Sequence, residues 1–182
     1  MSKEIFESSN EKETFEIGKQ FARRLKNGDI VAIYGDLGAG KTEFVKGICN
    51  YFNVEDIVTS PTFTIMNHYS SEKSEKPVSI YHIDLYRLKS DKEFQEIGLD
   101  ECLISKDCIK IIEWAEKANG MLPENRYNVF IHQDENSDTR RTIEIEEDLI
   151  YNIDLKNFSS GLYYVIFLNE EKILKKPLMI LK

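Results

Sequence analysis

Apolar and polar positions change their spacing along this chain in the way a mixed fold requires. Across residues 14–25, Phe15, Ile17, Phe21, Ala22 and Leu25 fall near helical spacing, which predicts an amphipathic helix. Asn27-Gly28 closes it, glycine being suited to a left-handed cap. Residues 29–34 are a short run of branched apolar side chains, the shape of a buried strand. A glycine-rich turn occupies residues 35–40. Residues 41–52 then predict a second helix with Phe44, Val45, Ile48 and Cys49 facing inward.

Pro61 has no amide hydrogen to offer a ladder, so residues 59–62 read as loop. Residues 63–69 alternate like a strand and residues 70–77 are a polar turn. Residues 78–88 hold another apolar stretch with Ile80, Ile83 and Leu85, followed by a helix at 91–97 that Gly98 stops. A third buried strand is predicted at 108–114, on Ile109, Ile111 and Ile112. Pro123 interrupts the segment after it. Two late strands, 127–132 and 141–145, are joined by a polar turn. Early alternation of strands with helices predicts an α/β layer fold with a central, mostly parallel sheet flanked by helices.

After about residue 147 the texture changes to three short β segments, at 151–155, 162–168 and 172–181, separated by polar turns. The expectation is a main domain at 1–147 and a short C-terminal β appendage at 148–182, read most simply as a hairpin packed on the main sheet.

Composition narrows the function. Of 182 residues, 41% are apolar, enough to fill an ordinary core. The formal net charge is -8, with 24 Lys and Arg against 32 Asp and Glu. Neutralising phosphates supplies most nucleic-acid affinity, so strong direct RNA or DNA binding is disfavoured and a protein partner is expected. The three cysteines, Cys49, Cys102 and Cys108, form no CxxC pair, which argues against a disulfide framework or zinc site. The first twelve residues are polar, and no window is long and apolar enough to span a membrane. The reading is a cytoplasmic protein with no membrane contact.

The chemistry centres on Gly35-Asp36-Leu37-Gly38-Ala39-Gly40-Lys41-Thr42, which satisfies G-x-x-x-x-G-K-[ST] between a predicted strand and a predicted helix. Glycines let the backbone curl around phosphate oxygens, successive amides form an anion nest, and the helix beginning at Lys41 adds its positive end. Lys41 is placed to reach the β- and γ-phosphates, and the Thr42 hydroxyl is a hard oxygen ligand for magnesium. The fold expected is therefore that of a P-loop NTPase, with ATP and Mg²⁺ as cofactors.

Such a loop needs carboxylates on neighbouring strands, one for the metal and one to orient the attacking water. Asp84, inside the apolar run, and Glu113, ending Ile109-Lys110-Ile111-Ile112, are the candidates for catalysis and, with Thr42, for the metal. A carboxylate at the end of a buried strand is costly without a cation or hydrogen bonds. Trp114, the one tryptophan, is read either as a cover for the nucleotide or as core packing. Ser60, Thr62 and Thr64 lie in a polar segment suited to a switch loop ordered by the γ-phosphate. His68, His82 and His132 show no metal spacing, but His82 sits two residues from Asp84.

These blocks, with Thr59-Ser60-Pro61-Thr62-Phe63-Thr64, Tyr81-His82-Ile83-Asp84-Leu85-Tyr86-Arg87-Leu88, Glu96-Ile97-Gly98-Leu99-Asp100-Glu101 and Ile112-Glu113-Trp114-Ala115-Glu116, occur in an order that closely resembles the TsaE (YjeE) family over roughly residues 5 to 147. The resemblance implies a cytoplasmic ATPase that works with TsaB and TsaD. That complex attaches threonylcarbamoyl to the adenosine beside the anticodon in tRNAs reading ANN codons, and tRNA is met only through it. By the same resemblance Lys41 and Thr42 bind phosphate and magnesium, Asp84 is the acid of an H-x-D-L-Y-R motif, and Glu113 is the Walker B acid with Trp114 its neighbour. Thr14 is placed at the adenine side, and either Arg140 or Arg141 near the nucleotide.

Two positions depart from the family pattern. Glu43 stands where many relatives carry a second threonine, and one hydroxyl suffices for magnesium. The segment 153–165, with Lys175-Lys176, resembles about half of a C-terminal sorting domain of the type nine secretion system. A small-molecule or nucleoside P-loop kinase is the competing enzymatic reading, and a nucleotide-gated binding module the non-enzymatic one. With no arginine finger evident, slow hydrolysis in isolation and dependence on a partner are expected.

Overall fold

The structure, a computed structural model, describes residues 2–71, 77–118, 120–134, 136–148, 159–168 and 173–180. The chain divides into two units, Met1–Ile150 and Tyr151–Lys182.

The first unit is built on a seven-stranded sheet. Its strands are β1 (Ser2–Ser8), β2 (Ile30–Tyr34), β3 (Met66–Ser71), β4 (Val78–Asp84), β5 (Ile109–Glu113), β6 (Arg126–Gln133) and β7 (Arg141–Asp148), in the order β1-β7-β6-β2-β5-β4-β3. The inner strands β6, β2, β5 and β4 are mutually parallel. Antiparallel pairings of β7 and β1 extend one side, and β3 extends the other. Parallel strands need apolar residues on both faces, and β2 has them. Val31 and Ile33 join one buried cluster and Ile30 and Ala32 the other.

Helices α1 (Glu11–Phe21) and α2 (Lys41–Tyr51) cover the first face, where Phe21, Phe44, Val45 and Ile48 meet Ile80, Ile109 and Ile111. Helices α3 (Asp91–Glu96) and α4 (Leu99–Ile104) supply Phe94, Leu99 and Leu103 to the second cluster, with Leu85 and Ile112. Helices α1 and α2 pack at backbone distance. A Cβ placed on Gly47 would lie 2.0 Å from the Phe15 carbonyl oxygen, and one on Gly18 2.2 Å from that of Phe44.

Several elements differ from the periodicity. The first helix begins at Glu11 because Asn10 caps it. Its side chain accepts from the Glu13 amide at 3.0 Å, while Glu13 accepts from the Ser9 amide at 2.7 Å. The helix then tightens into a 3₁₀ turn over Ala22–Arg24. Strand β1 falls in the stretch read as a polar terminus. As an edge strand it is held by its backbone ladder to β7 and by ion pairs, Lys3 to Glu144 at 2.6 Å and Arg24 to Glu4 at 2.6 Å. Gly98, expected only to stop a helix, also starts the next one in a left-handed conformation, φ 70°. Strand β3 begins at Met66 rather than at 63.

In the second unit, β8 (Gly161–Leu168) and β9 (Ile173–Ile180) pair antiparallel as a two-stranded sheet. The segment expected at 151–155 lies outside the described residues.

The close crossing of α1 and α2 gives a direct test. Overpacking a filled site costs about 1–3 kcal/mol, so Gly47→Ala should lower unfolding free energy by that amount in urea titration. An unchanged midpoint would contradict the crossing.

Candidate functional site

Strands β2, β5 and β4 run parallel, so their carboxyl ends share one edge of the sheet, the place where α/β sheets take ligands. Register puts Asp84 directly beside Glu113, and Glu113 beside Ile33, two residues before Gly35. The loop at 35–40 rises from that edge. Gly35, Gly38 and Gly40 have φ of 144°, 82° and 101°, values that favour glycine. At Gly35 a Cβ would also meet the Ile131 carbonyl oxygen at 2.4 Å. Gly40 then caps α2 in a left-handed conformation.

Lys41 is 5% exposed. Its ammonium donates to the carbonyls of Gly35 at 2.7 Å and Asp36 at 2.8 Å, and lies 3.7 Å from the centre of the Trp114 ring. Burial lowers its pKa, opposed by the charges of Glu113, Glu116, Asp84 and Asp36. Trp114 reaches this position because it turns sharply after β5 with φ 59°, unusual for a side chain of its size. Its ring also meets Tyr86, centroids 4.9 Å apart. The ring thus lies over the Lys41 ammonium and also packs, half-buried, against the second core cluster.

The two carboxylates are almost fully buried, each 2% exposed. Asp84 accepts the Tyr86 amide at 2.9 Å, the Ser60 hydroxyl at 2.9 Å and the Thr62 hydroxyl at 2.7 Å. Glu113 accepts the Thr42 hydroxyl at 2.9 Å, and its same oxygen, Oε1, lies 2.8 Å from His82 Nε2. Thr64 is not part of this network. Its hydroxyl donates to Asn67 at 2.8 Å. Glu43 turns aside to pair with Lys46 at 2.8 Å, and Thr42 is the α2 hydroxyl on Glu113.

Thr14 and the two arginines expected near the nucleotide lie at different depths. Thr14 is fully buried within α1. Its hydroxyl lies 2.8 Å from that of Ser8, and its methyl carbon is 3.6 Å from where a Gly40 Cβ would stand. It therefore stands beside the loop at Gly40. Of the two arginines, the buried one is Arg141, which donates to the carbonyls of Ala39 at 3.1 Å, Gly38 at 3.5 Å and Asp138 at 2.9 Å, while Arg140 is exposed. Asp36, Leu37 and Gly38 form the exposed crest of the loop, and Ala39 is buried.

The donors suit a magnesium–triphosphate. Thr42 gives its proton to Glu113 and keeps oxygen lone pairs for a hard cation. Magnesium typically takes one or two protein oxygens and fills the rest with phosphate and water. No group of three His, Cys, Asp or Glu residues arranged to hold a metal occurs among the described residues. A cavity of about 550 Å³ runs from Thr42 and Ser60 along α2 to Phe15 and Cys49.

Sequence spacing places His82 near Asp84 but does not reveal its bond to Glu113. The signal is the alternation of a strand, which puts residues 80, 82 and 84 on one face.

With this geometry in view, a family model described as "Threonylcarbamoyl adenosine biosynthesis protein TsaE" matches residues 8–143. The chain belongs to the TsaE family. The tRNA threonylcarbamoyladenosine biosynthesis protein TsaE of Rickettsia bellii (strain RML369-C) is 42% identical over 116 residues, 63% of this chain and 76% of its own. The protein of the same name in Bacillus subtilis (strain 168) is 38% identical over 122 residues, 67% of this chain and 73% of its own. A crystal structure of Bacillus subtilis YdiB superposes with a TM-score of 0.65 at 31% identity, over 81% of this chain and 86% of that one. The fold is therefore the P-loop nucleotide-binding fold of the TsaE family, and the family match ends before the second unit begins.

Because Trp114 lies on the Lys41 ammonium and is the one tryptophan, intrinsic fluorescence reports on the loop. Titration with Mg-ATP should change the emission saturably, and Lys41→Ala should abolish the change. A flat titration of the wild type would contradict the assignment.

Proposed function

We propose that this TsaE-family chain hydrolyses ATP to ADP and phosphate in tRNA threonylcarbamoyladenosine biosynthesis, acting with TsaB and TsaD on tRNAs reading ANN codons. One observation carries the catalytic part. Two buried carboxylates stand side by side at the carboxyl edge of the sheet, and one of them holds the Thr42 hydroxyl of the phosphate loop. Lys41 and the loop amides bind the β- and γ-phosphates, and Arg141 braces the loop by its carbonyls. Magnesium, when bound with the nucleotide, offsets charge on the phosphoryl oxygens. Thr42 and Asp84 are the residues that would hold it, with Glu113 beside them.

Glu113 orients the attacking water. The water oxygen bonds to the terminal phosphorus, the bond to the bridging oxygen breaks with its electron pair going to ADP, and Glu113 accepts the water proton before releasing it with product. Ser60 and Thr62, tied to Asp84, form the switch segment whose position tracks the γ-phosphate. A kinase would require an arginine-bearing lid, and residues 90–101, where one could sit, contain no arginine. The pathway is supported by the names of the relatives, and reliance on a partner by the net charge of -8, which disfavours tRNA binding by this chain alone. We assign nucleotide handling to residues 1–147 and treat 148–182 as a β-rich extension. The site and the absence of a membrane-length apolar helix among the described residues fit work in the cytoplasm.

Glu113→Ala should lower ATP turnover by about a hundredfold or more while nucleotide still binds. Wild-type turnover, slow alone, should rise when TsaB and TsaD are added. Unchanged turnover in the variant would remove Glu113 from catalysis, and equal wild-type rates with and without the partners would remove the partner dependence. The biological role is checked by whether the chain restores the modified nucleoside in tRNA from cells lacking their own copy.

A further inference from the structure

His82 is a polar ring in an apolar place. It is fully buried on β4, on the face of the sheet that also carries Ile80 and Ile111. Its Nε2 lies 2.8 Å from Glu113 Oε1, and its Nδ1 is buried with no hydrogen-bond partner. A phenylalanine would fill the same space without leaving a nitrogen unsatisfied, so packing does not account for the ring. What the imidazole adds is one N–H aimed at one carboxylate oxygen. With Nδ1 unpartnered, the proton belongs on Nε2.

We propose that His82 is a positioning residue for ATP hydrolysis, holding Glu113 by Oε1 so that Oε2 is presented to the attacking water. The inference rests on the proposed role of Glu113 in orienting that water. A glutamate side chain has three rotatable torsions, and a carboxylate with a single donor can swing about that donor. Here Oε1 receives two donors from different elements, Thr42 on α2 and His82 on β4. Two bonds to one oxygen from two directions fix the carboxylate plane. Oε2 receives no hydrogen bond from the described residues. Thr42 alone would be a poor anchor, because its hydroxyl oxygen is also the ligand proposed for magnesium. His82 belongs to a rigid inner strand and stays. Outer-shell donors of this kind orient the groups they touch, and their loss typically costs about 10- to 100-fold in affinity or activity.

The test compares His82→Phe, which keeps a ring and removes the N–H, with His82→Gln, which restores an N–H of similar reach. Hydrolysis and ADP affinity are measured for each, the latter by Trp114 emission. His82→Phe should lose about 10- to 100-fold in kcat with ADP affinity unchanged. His82→Gln should recover much of the loss, and His82→Phe should cost nothing more in a Glu113→Gln background. Wild-type kcat in His82→Phe, or an equal loss in ADP affinity and kcat, overturns the proposal. Nitrogen-15 spectra of the wild-type imidazole decide the geometry with no substitution: a proton on Nε2 supports it, and a proton on Nδ1 rejects it even if a variant fails to fold. A wild-type chain that hydrolyses no ATP with or without its partners would instead remove the parent reading.

Discussion

Lys41 is an ammonium drawn out of water at the carboxyl edge of a parallel sheet, and the rest of the site is arranged around that fact. The charge survives there because it is shared among two loop carbonyls, the face of Trp114 and the field of nearby carboxylates. Those groups come from distant parts of the chain. The carbonyls need the left-handed glycines of the loop, the ring needs the turn after β5, and the carboxylates need β4 and β5 in register with β2. A triphosphate answers the same charge more fully than carbonyls do, since a charge-assisted pair is stronger than a neutral acceptor.

Around that centre the hydrogen bonds make two connected groups. Asp84 gathers the loop hydroxyls of Ser60 and Thr62. Glu113 gathers Thr42 and His82. Asp84 and Glu113 are register neighbours, so the two groups stand on adjacent strands. Lys117 strengthens the link, bonding from just after Trp114 to the carbonyls of Tyr86 and Leu88. Outside the network stand exposed apolar groups, Phe63 at 82% and Leu37 at 75%. Phe63 follows Thr62 in the same loop, and the Arg87 guanidinium lies 4.1 Å from its ring centre.

How much of this could be read from the sequence depended on where apolar residues must go. The inner strands were legible because burial on both faces forces continuous apolar runs, as in Ile30-Val31-Ala32-Ile33 and Ile109 to Ile112. The phosphate loop was legible because its glycines and lysine have one job. Strand β1 was not, since an edge strand held by its backbone and by ion pairs can be polar. Helix α4 was not, because Gly98 reads equally as a stop or a start. The site was found as residue types at spacings, but the partners were decided by the fold. Arg141 rather than Arg140 turns inward because alternation along β7 puts it there, and Thr14 stands beside the loop because Asn10 begins the helix earlier than its apolar face does. His82 opens the H-x-D-L-Y-R block, but only the register of β4 against β5 brings it to Glu113.

The most direct measurement is a crystal structure with magnesium and a non-hydrolysable ATP analogue. The account predicts triphosphate density inside the curl of residues 35–42, the terminal phosphate on the Lys41 ammonium, and Asp84 and Glu113 facing it. Analogue bound elsewhere, or both carboxylates turned from the phosphates, would contradict it.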